Sequence, residues 1–522
     1  MKPTKARLSV TRLLWHPFLF ALYPVLALAA ANLEWVQLEE ISRAVLGSLA
    51  AAVLLLLLFR LLLRSWPKAA LLVSGYILLF FGFGHIVRAV AAATSLDFIF
   101  VKRIIAAVYA AVLIFVTWWV GRALRRDISG VTYFLNIVVA VALILPVYNL
   151  AIHAIRTLNQ RPNPTPSLAI PAVQTVENPP DIYYFILDEY TRADIYQELH
   201  GYDNSPFLQF LRDTGFYVAE ESYSNYSQTT FSMASSLNLE YVNYMTEQVG
   251  RDSPDRNQMT PLIHQSKLRA FLAGQGYQFI SISSGWGQSE IRDADQYIWA
   301  GSGALNEFEV RLIEDTLPGN LLLSDFGYAI KRRKFHFIFD TLLEIPEQEG
   351  PKFVFIHLFS PHLPLVFGPQ GEVITPRQLS GTQGVIASGQ DGSLYSQEYR
   401  DETHYLNQRL QTAITHILEN SERPPVILIQ GDHGSQLFLD WDSAEKTCMH
   451  ERMAILNAYY LPGAEAEMLY PGISPVNSFR VVLDTYFETD LGLLEDDHYF
   501  ALWNRPYDQI NVNGRLEESC HP

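Results

Sequence analysis

Two short polar motifs each follow an apolar run directly, and both carry groups able to hold a divalent cation. DIYYFIL (Asp181–Leu187) leads into Asp188-Glu189, and PVILIQ (Pro425–Gln430) leads into Gly431-Asp432-His433-Gly434. Carboxylate oxygens and imidazole nitrogens suit zinc or manganese. A lone Asp in such a place ordinarily caps a helix or lies in a loop; the two motifs together favour a metal site. A hydroxyl-rich segment, Ser222–Ser236 (SYSNYSQTTFSMASS), offers Thr229 and Thr230 as nucleophiles. A hydroxyl is weakly nucleophilic at neutral pH, and a bound metal activates it by stabilising the alkoxide. By itself the segment reads as a polar loop or a capped helix. KFVFIHL (Lys352–Leu358) carries His357 and runs into Ser360-Pro361-His362-Leu363-Pro364, where the prolines restrain the turn around His362. His450 precedes the apolar segment leading to NAYYLPG. His362 and His450 suit a second metal, a substrate phosphate or a general acid. His357 alternates with apolar residues and reads first as a packed core histidine.

These side chains need a scaffold that brings distant segments together. Asp181–Leu187, Gly276–Ile282, Lys352–Leu358 and Pro425–Gln430 read as buried strands, with Asn457–Leu461 and Phe216–Val218 as further candidates. Helical spacing occupies the intervals between them, as over Ser205–Thr214 and Tyr399–Leu418. Strands alternating with helices predict a mainly parallel sheet covered on both faces. Ligands bind such sheets at the carboxyl ends of the strands, which is where Asp188 and Asp432 fall.

The first third of the chain is of another kind. Apolar stretches run over 13–33, 44–59 (continuing past Arg60 to Leu63), 69–87, 104–121 and 128–155. A helix crosses a bilayer with roughly 20 apolar residues, so all five are plausible spans; four apolar segments behind the first favour a polytopic anchor over a cleaved signal. Ten basic residues fall in the segment before span one and in the loops between spans two and three and spans four and five. The positive-inside rule makes those segments cytoplasmic. An odd number of spans then places everything after Ile155 outside. Arg43, Arg88, Lys102 and Arg103 lie in the two outer loops, either at the interface alone or against lipid phosphates. The stretch 159–180 holds six prolines and reads as an extended linker. Residues 1–180 carry 16 Lys/Arg against 6 Asp/Glu, and the rest carries 22 against 48. So acidic a soluble part argues against nucleic-acid binding, which needs basic surface. The two cysteines, Cys448 and Cys520, cannot form a disulfide framework or a four-thiolate site; whether they pair is left open.

Taken in order, the motifs DEYTRAD, the hydroxyl segment, SPHLP and GDHG resemble the alkaline phosphatase superfamily, in particular the sulfatase-like membrane transferases such as lipoteichoic acid synthases and phosphoethanolamine transferases. The resemblance covers nearly the whole chain and is specific only in the motifs, GDHG being the strongest. It implies an N-terminal five-helix transmembrane domain (1–158), a Pro-rich linker (159–180) and a C-terminal extracytoplasmic α/β domain (181–522), alkaline phosphatase/sulfatase-like, with a mainly parallel sheet covered by helices on both faces. It implies a divalent metal, zinc or manganese, on Asp188, Glu189, Thr229, Asp432 and His433. Thr229 would be the nucleophile, because Ser232 follows it at the transferase spacing, with Thr230 as runner-up. His362, His450 and Arg192 would bind substrate. The transferases carry one acid at the first strand end and this chain has two; position favours Asp188, then Glu189, and sulfatases use adjacent acids there. The implied activity is phosphotransfer from a membrane lipid donor to an envelope glycan or lipid acceptor. The alternatives are a sulfatase-like hydrolase on the same site and a non-enzymatic envelope protein with a decayed site. The Cys/Ser-x-Pro-x-Arg motif of true sulfatases is not met here, which weakens sulfatase activity.

The topology has a direct test. A reporter enzyme fused after Pro522 should be active outside the cytoplasm, and cytoplasmic activity at that point would overturn the orientation.

Overall fold

A computed structural model describes residues 13–33, 41–94, 98–124, 127–159, 170–171, 173–300, 305–322, 325–374, 383–463 and 468–520. Of the linker expected over 159–180, residues 160–169 and 172 lie outside the described residues, and 173–180 form no helix or strand. The chain forms two compact units, one of residues 1–159 with 305–327, the other of 160–304 with 328–522.

In the first unit the apolar stretches form α1 (His16–Ala31), α2 (Ser42–Leu63), α3 (Trp66–Ala93), α4 (Phe98–Trp118) and α5 (Ser129–Asn159). Four of the five are long and apolar enough to cross a membrane; α1 is apolar but has only 16 residues. α3 is the hub, with Ala69, Ala70, Leu72 and Val73 fully buried. Two short helices from later in the chain, Glu307–Glu314 and Leu317–Leu322, belong to this unit. The sequence reading assigned them to the catalytic domain over 181–522. They are held here by Arg43 to Glu309 at 2.5 Å and Arg88 to Asp315 at 2.6 Å, and by Phe308 packed with Val25, Ala29 and Ile41.

The second unit is built on a seven-stranded sheet. Its strands are β1 (Ile182–Leu187), β2 (Tyr217–Val218), β3 (Gln278–Ile282), β4 (Gln296–Ile298), β5 (Lys352–Leu358), β6 (Val426–Gly431) and β7 (Asn457–Tyr460). Their spatial order is β2-β7-β6-β1-β5-β3-β4, and β6, β1, β5, β3 and β4 are parallel while β7 and β2 close one edge antiparallel. The short β4 had no apolar run to announce it, since Gln296, Tyr297 and Ile298 are all only half-buried.

β1 is central, and all six of its residues are buried. Tyr183, Phe185 and Leu187 face one core, shared with α7 (Phe326–Leu342) and α8 (Gly392–Asn420). Ile182, Tyr184 and Ile186 face the other, shared with α6 (Thr229–Asn238) and α10 (Pro475–Phe487). Burial on both faces explains why this strand reads as a continuous apolar run rather than an alternating one. The short helix α9 (Met449–Met453) follows Cys448, which forms a disulfide with Cys520. That bond belongs to an oxidising compartment and agrees with the expectation that the chain after Ile155 lies outside the cytoplasm.

The disulfide ties the C-terminal tail to the residue that starts α9. Cys520→Ser should expose Arg515, whose guanidinium donates to Ala444 O at 2.7 Å, to trypsin. An unchanged cleavage rate would show that hydrogen bonds alone hold the tail.

Candidate metal centre

The register of three parallel strands builds the site. Leu187 of β1 stands opposite Leu358 of β5 on one side and Gly431 of β6 on the other. The next residues, Asp188 and Asp432, therefore leave the sheet side by side, and His357 lies beside them on β5. Asp188, Asp432 and His433 each offer one ligand atom, all within 4.8 Å of one another, and all three side chains are buried. Both flanking glycines are required by close approach. A Cβ at Gly431 would lie 2.3 Å from Tyr190 O, and one at Gly434 would lie 2.0 Å from Glu451 O.

Hydrogen bonds fix which atoms face inward. Asp432 Oδ1 accepts the backbone N–H of Glu189 at 3.0 Å and of His433 at 2.9 Å, while Asp432 Oδ2 has no hydrogen-bond partner. Asp188 Oδ1 likewise has none. His433 Nδ1 lies 3.1 Å from Gly434 O, so it carries the proton and leaves Nε2 as the free lone pair. That Nε2 is 3.2 Å from Asp432 Oδ2, 3.8 Å from Asp188 Oδ1 and 3.0 Å from Thr229 Oγ1. His357 Nδ1 bonds Ser289 Oγ at 2.9 Å, and its Nε2, also without a hydrogen-bond partner, faces Asp188 Oδ2 at 3.6 Å.

The electrostatics follow from burial. It pushes both aspartates above the usual carboxylate range, and repulsion between them raises Asp432 further. It also pushes His433 well below its ordinary value and His357 down to about 4. Two carboxylates facing each other with lone pairs that no described donor engages, beside neutral imidazoles, are an arrangement that a divalent cation satisfies. Oxygen and nitrogen donors without thiolate fit zinc or manganese.

Of the sequence candidates, Asp188, Asp432, His433 and Thr229 come together here. Thr229 opens α6, whereas Thr230 turns away and donates to Gln288 Oε1 at 2.6 Å. Glu189 adopts φ +65°, a left-handed conformation costly for a residue with a Cβ. This turns its carboxylate away from Asp188 and onto Arg452 Nη1 (3.2 Å) and Gln436 Nε2 (3.1 Å). Burial raises the Glu189 carboxyl to about 7. His362 Nε2 lies 4.0 Å from Glu189 Oε1. Arg192 and His450 sit in a different cluster. Arg192 makes a two-pronged pair with Asp194 (2.8 Å each) over the Tyr223 ring, and His450 Nδ1 is 2.7 Å from Leu516 O.

Several contributors escaped the sequence reading. Arg452 donates through Nε and Nη2 to Ser227 O, at 3.0 and 2.8 Å, and through Nη1 to Gly434 O at 3.1 Å. It thus braces the hydroxyl loop, the Asp-His loop and Glu189 at once. Glu402, fully buried on α8, accepts Ser360 Oγ (2.9 Å) and Val366 N (2.5 Å). Lys331 donates to the carbonyls of His362 (2.6 Å) and Pro364 (2.8 Å). Together they anchor the loop that bears His362. An arginine next to an acid on a short helix carries no motif, and the only signal for Glu402 was an acid on the apolar side of a helical pattern.

No family model matches the sequence, and no curated protein matches it. Among solved structures the chain is similar to the C-terminal periplasmic domain of EcEptC from Escherichia coli, at 12% identity over 67% of this chain and 98% of that one, with a TM-score of 0.43. It is also similar to the integral membrane protein lipooligosaccharide phosphoethanolamine transferase A from Neisseria meningitidis, at 13% identity over 90% of this chain and 94% of that one, with a TM-score of 0.38. A 2-O GAG sulfatase gives 10% identity over 66% and 76%, with a TM-score of 0.38.

The raised aspartates set a pH dependence. In the metal-free folded chain they hold protons that the unfolded chain has released above about pH 4. The folded state is then favoured on the acid side, and that advantage is lost as pH rises towards neutrality. Added Zn2+ should therefore raise the thermal midpoint more at pH 7.5 than at pH 5. Replacing Asp432 and His433 together with Ala should remove both the bound metal, measured by elemental mass spectrometry, and the zinc effect. Metal content equal to the parent's would put the site elsewhere.

Proposed function

We propose that this chain is a membrane-anchored, metal-dependent phosphotransferase that moves a phosphoryl-bearing group from a phospholipid donor to an envelope glycan or lipid acceptor. The observation that carries the reading is Thr229 Oγ1, 3.0 Å from His433 Nε2, beside two buried aspartate oxygens that lack hydrogen-bond partners. Asp188, Asp432 and His433 would hold the metal, with Thr229 as a further oxygen donor. A divalent ion bound there lowers the pKa of the Thr229 hydroxyl and offsets negative charge on the attacked phosphoryl oxygens.

Each remaining role belongs to a side chain. Thr229 is the first residue of a ten-residue helix, so unpaired N–H groups and the helix dipole favour an anionic phosphate beside it. Thr229 releases its proton to solvent and its oxygen bonds to phosphorus. The donor's P–O bond to its glycerol breaks, and the leaving oxygen takes a proton from His362. In the second half the acceptor hydroxyl returns a proton to His362, its oxygen bonds to phosphorus, and the Thr229 O–P bond breaks, the threonine oxygen taking back a proton from solvent. His362 suits this role because its Nδ1 is held 2.5 Å from Leu363 O, leaving Nε2 to exchange the proton. With water as acceptor the same steps make a hydrolase. Product analysis with and without acceptor separates the two.

Thr229→Ala should cut turnover by roughly a thousandfold or more while leaving metal content unchanged. Thr229→Ser should retain part of the activity. Thr230→Ala should cost stability on the order of 1 kcal/mol through its lost bond to Gln288, and little rate. Mass spectrometry of the chain incubated with donor alone should find the added group on Thr229. Full activity in Thr229→Ala would sink the covalent mechanism; a mark on Thr230 would move the nucleophile by one residue.

A further inference from the structure

The membrane unit contains a cavity of about 710 Å³ between α2, α3, α4 and the two short helices Glu307–Glu314 and Leu317–Leu322. The wall given by α2 includes the small residues Ala44, Gly47, Ser48 and Ala51, spaced to lie on one helical face, and continues through Ala52 to Leu54 and Leu55. Small residues in a membrane helix ordinarily let a neighbouring backbone approach closely. Among the described residues no helix fills the space, and a Cβ added at Gly47 would meet no atom within 4 Å. The opposite wall is apolar, formed by side chains such as Phe80, Leu113, Leu312 and Leu317.

One lining group is polar and unsatisfied. Tyr109 is 6% exposed, and its hydroxyl has no hydrogen-bond partner among the described residues. A buried hydroxyl in hydrocarbon calls for an acceptor. Cations surround the same end of the unit. Arg43 precedes the lining residue Ala44 and pairs with Glu309, and Arg88 pairs with Asp315, next to the lining residue Thr316. These arginines keep 50% and 42% of their side chains exposed. Lys102 and Arg103 stand in the first turns of α4. Tyr109 packs on Phe83, with ring centroids 5.2 Å apart. Phe83 lies five residues before Arg88 on α3, about 8 Å along the helix axis. That is of the order of the spacing between phosphate and ester carbonyl in a glycerophospholipid.

We propose that this cavity is a binding site for one diacylglycerophospholipid of the outer leaflet. An acyl chain fills the apolar space, an ester carbonyl accepts the Tyr109 hydroxyl, and the phosphate lies towards Arg43 and Arg88. The bound lipid completes the wall formed by helices 307–322. The site is independent of the phosphotransfer reading, so Thr229→Ala should retain it.

The full chain in nanodiscs is tested with phosphatidylglycerol bearing a photoactivatable diazirine midway along one acyl chain. Illumination should label the peptide containing Leu312 and Leu317, and also the lipid-facing Ile114, which is 72% exposed. Gly47→Phe, which fills the cavity, should reduce labelling at Leu312–Leu317 at least fivefold and leave Ile114 unchanged. Tyr109→Phe preserves shape and should weaken retention of the phospholipid roughly fivefold in native mass spectrometry, the loss expected for one hydrogen bond. Should Gly47→Phe fail to fold, the Tyr109→Phe result decides. Parental labelling and retention in these variants would overturn the proposal. Displacement of the probe by palmitic acid as readily as by unlabelled phosphatidylglycerol would overturn the phospholipid assignment.

Discussion

Asp188 and Asp432 leave neighbouring parallel strands at the same level, and the sheet gives neither a way to avoid the other. Each strand is buried on both faces, so a shift of either by one residue would exchange its two sets of core side chains. Tyr183, Phe185 and Leu187 would then face the helices that Tyr184 and Ile186 now meet. The hydrophobic register therefore enforces the confrontation of two carboxylates, and the fold bears its cost until a cation or protons relieve it. Burial and that constraint together account for the raised carboxyls and for the oxygens left without partners among the described residues, while burial lowers the imidazoles against the pull of the nearby carboxylates.

Around this pair the chain spends its other charges on fixing loops. Arg452 lies between the segment carrying Thr229, the segment carrying His433, and Glu189. Glu451, the residue before it, accepts from Ser435 Oγ at 2.6 Å and from the N–H groups of Leu437 and Phe438 at 2.6 and 2.7 Å. One short helix thereby holds the Asp-His loop with an acid and the hydroxyl loop with a base. Glu402 and Lys331 do the same for the loop carrying His362. Such buried, fully engaged charges contribute placement more than net stability, and they fix the loops on which Thr229, His433 and His362 stand.

The parallel core of the sheet was legible because its strands are apolar on both faces and end abruptly in polar motifs; β1 and β6 stand where DIYYFIL and PVILIQ put them. The placement of Asp432 and His433 at a strand end was legible for the same reason. Position in the sequence favours Asp188 over Glu189 as a ligand, but the left-handed backbone angle at Glu189 and the pairing of its carboxylate with Arg452 were not legible, because pattern does not reveal a rotation about a single bond. His357 was read as core from its alternation. It is fully buried, yet its Nε2 points at Asp188, since a residue one position inside the strand end still reaches the cluster across the sheet edge. His450 shares its neighbourhood with Tyr223, Asp194 and Leu516, a C-terminal contact of long sequence separation that spacing alone does not disclose.

The same limit explains the membrane unit. Hydropathy marks long spans, and helices of 8 and 6 residues such as Glu307–Glu314 and Leu317–Leu322 leave no such mark. What did show in the sequence was an anomaly, arginines at positions 43 and 88 in loops that the positive-inside rule assigns to the outer side. The bias concerns charge that must be left behind during insertion, and it is weakened where the charge acquires a partner. Glu309 and Asp315, more than 200 residues away in the chain, are those partners. Two of the four cations in the outer loops, Arg43 and Arg88, are thus also the points at which a segment from the later sequence is joined to the membrane helices.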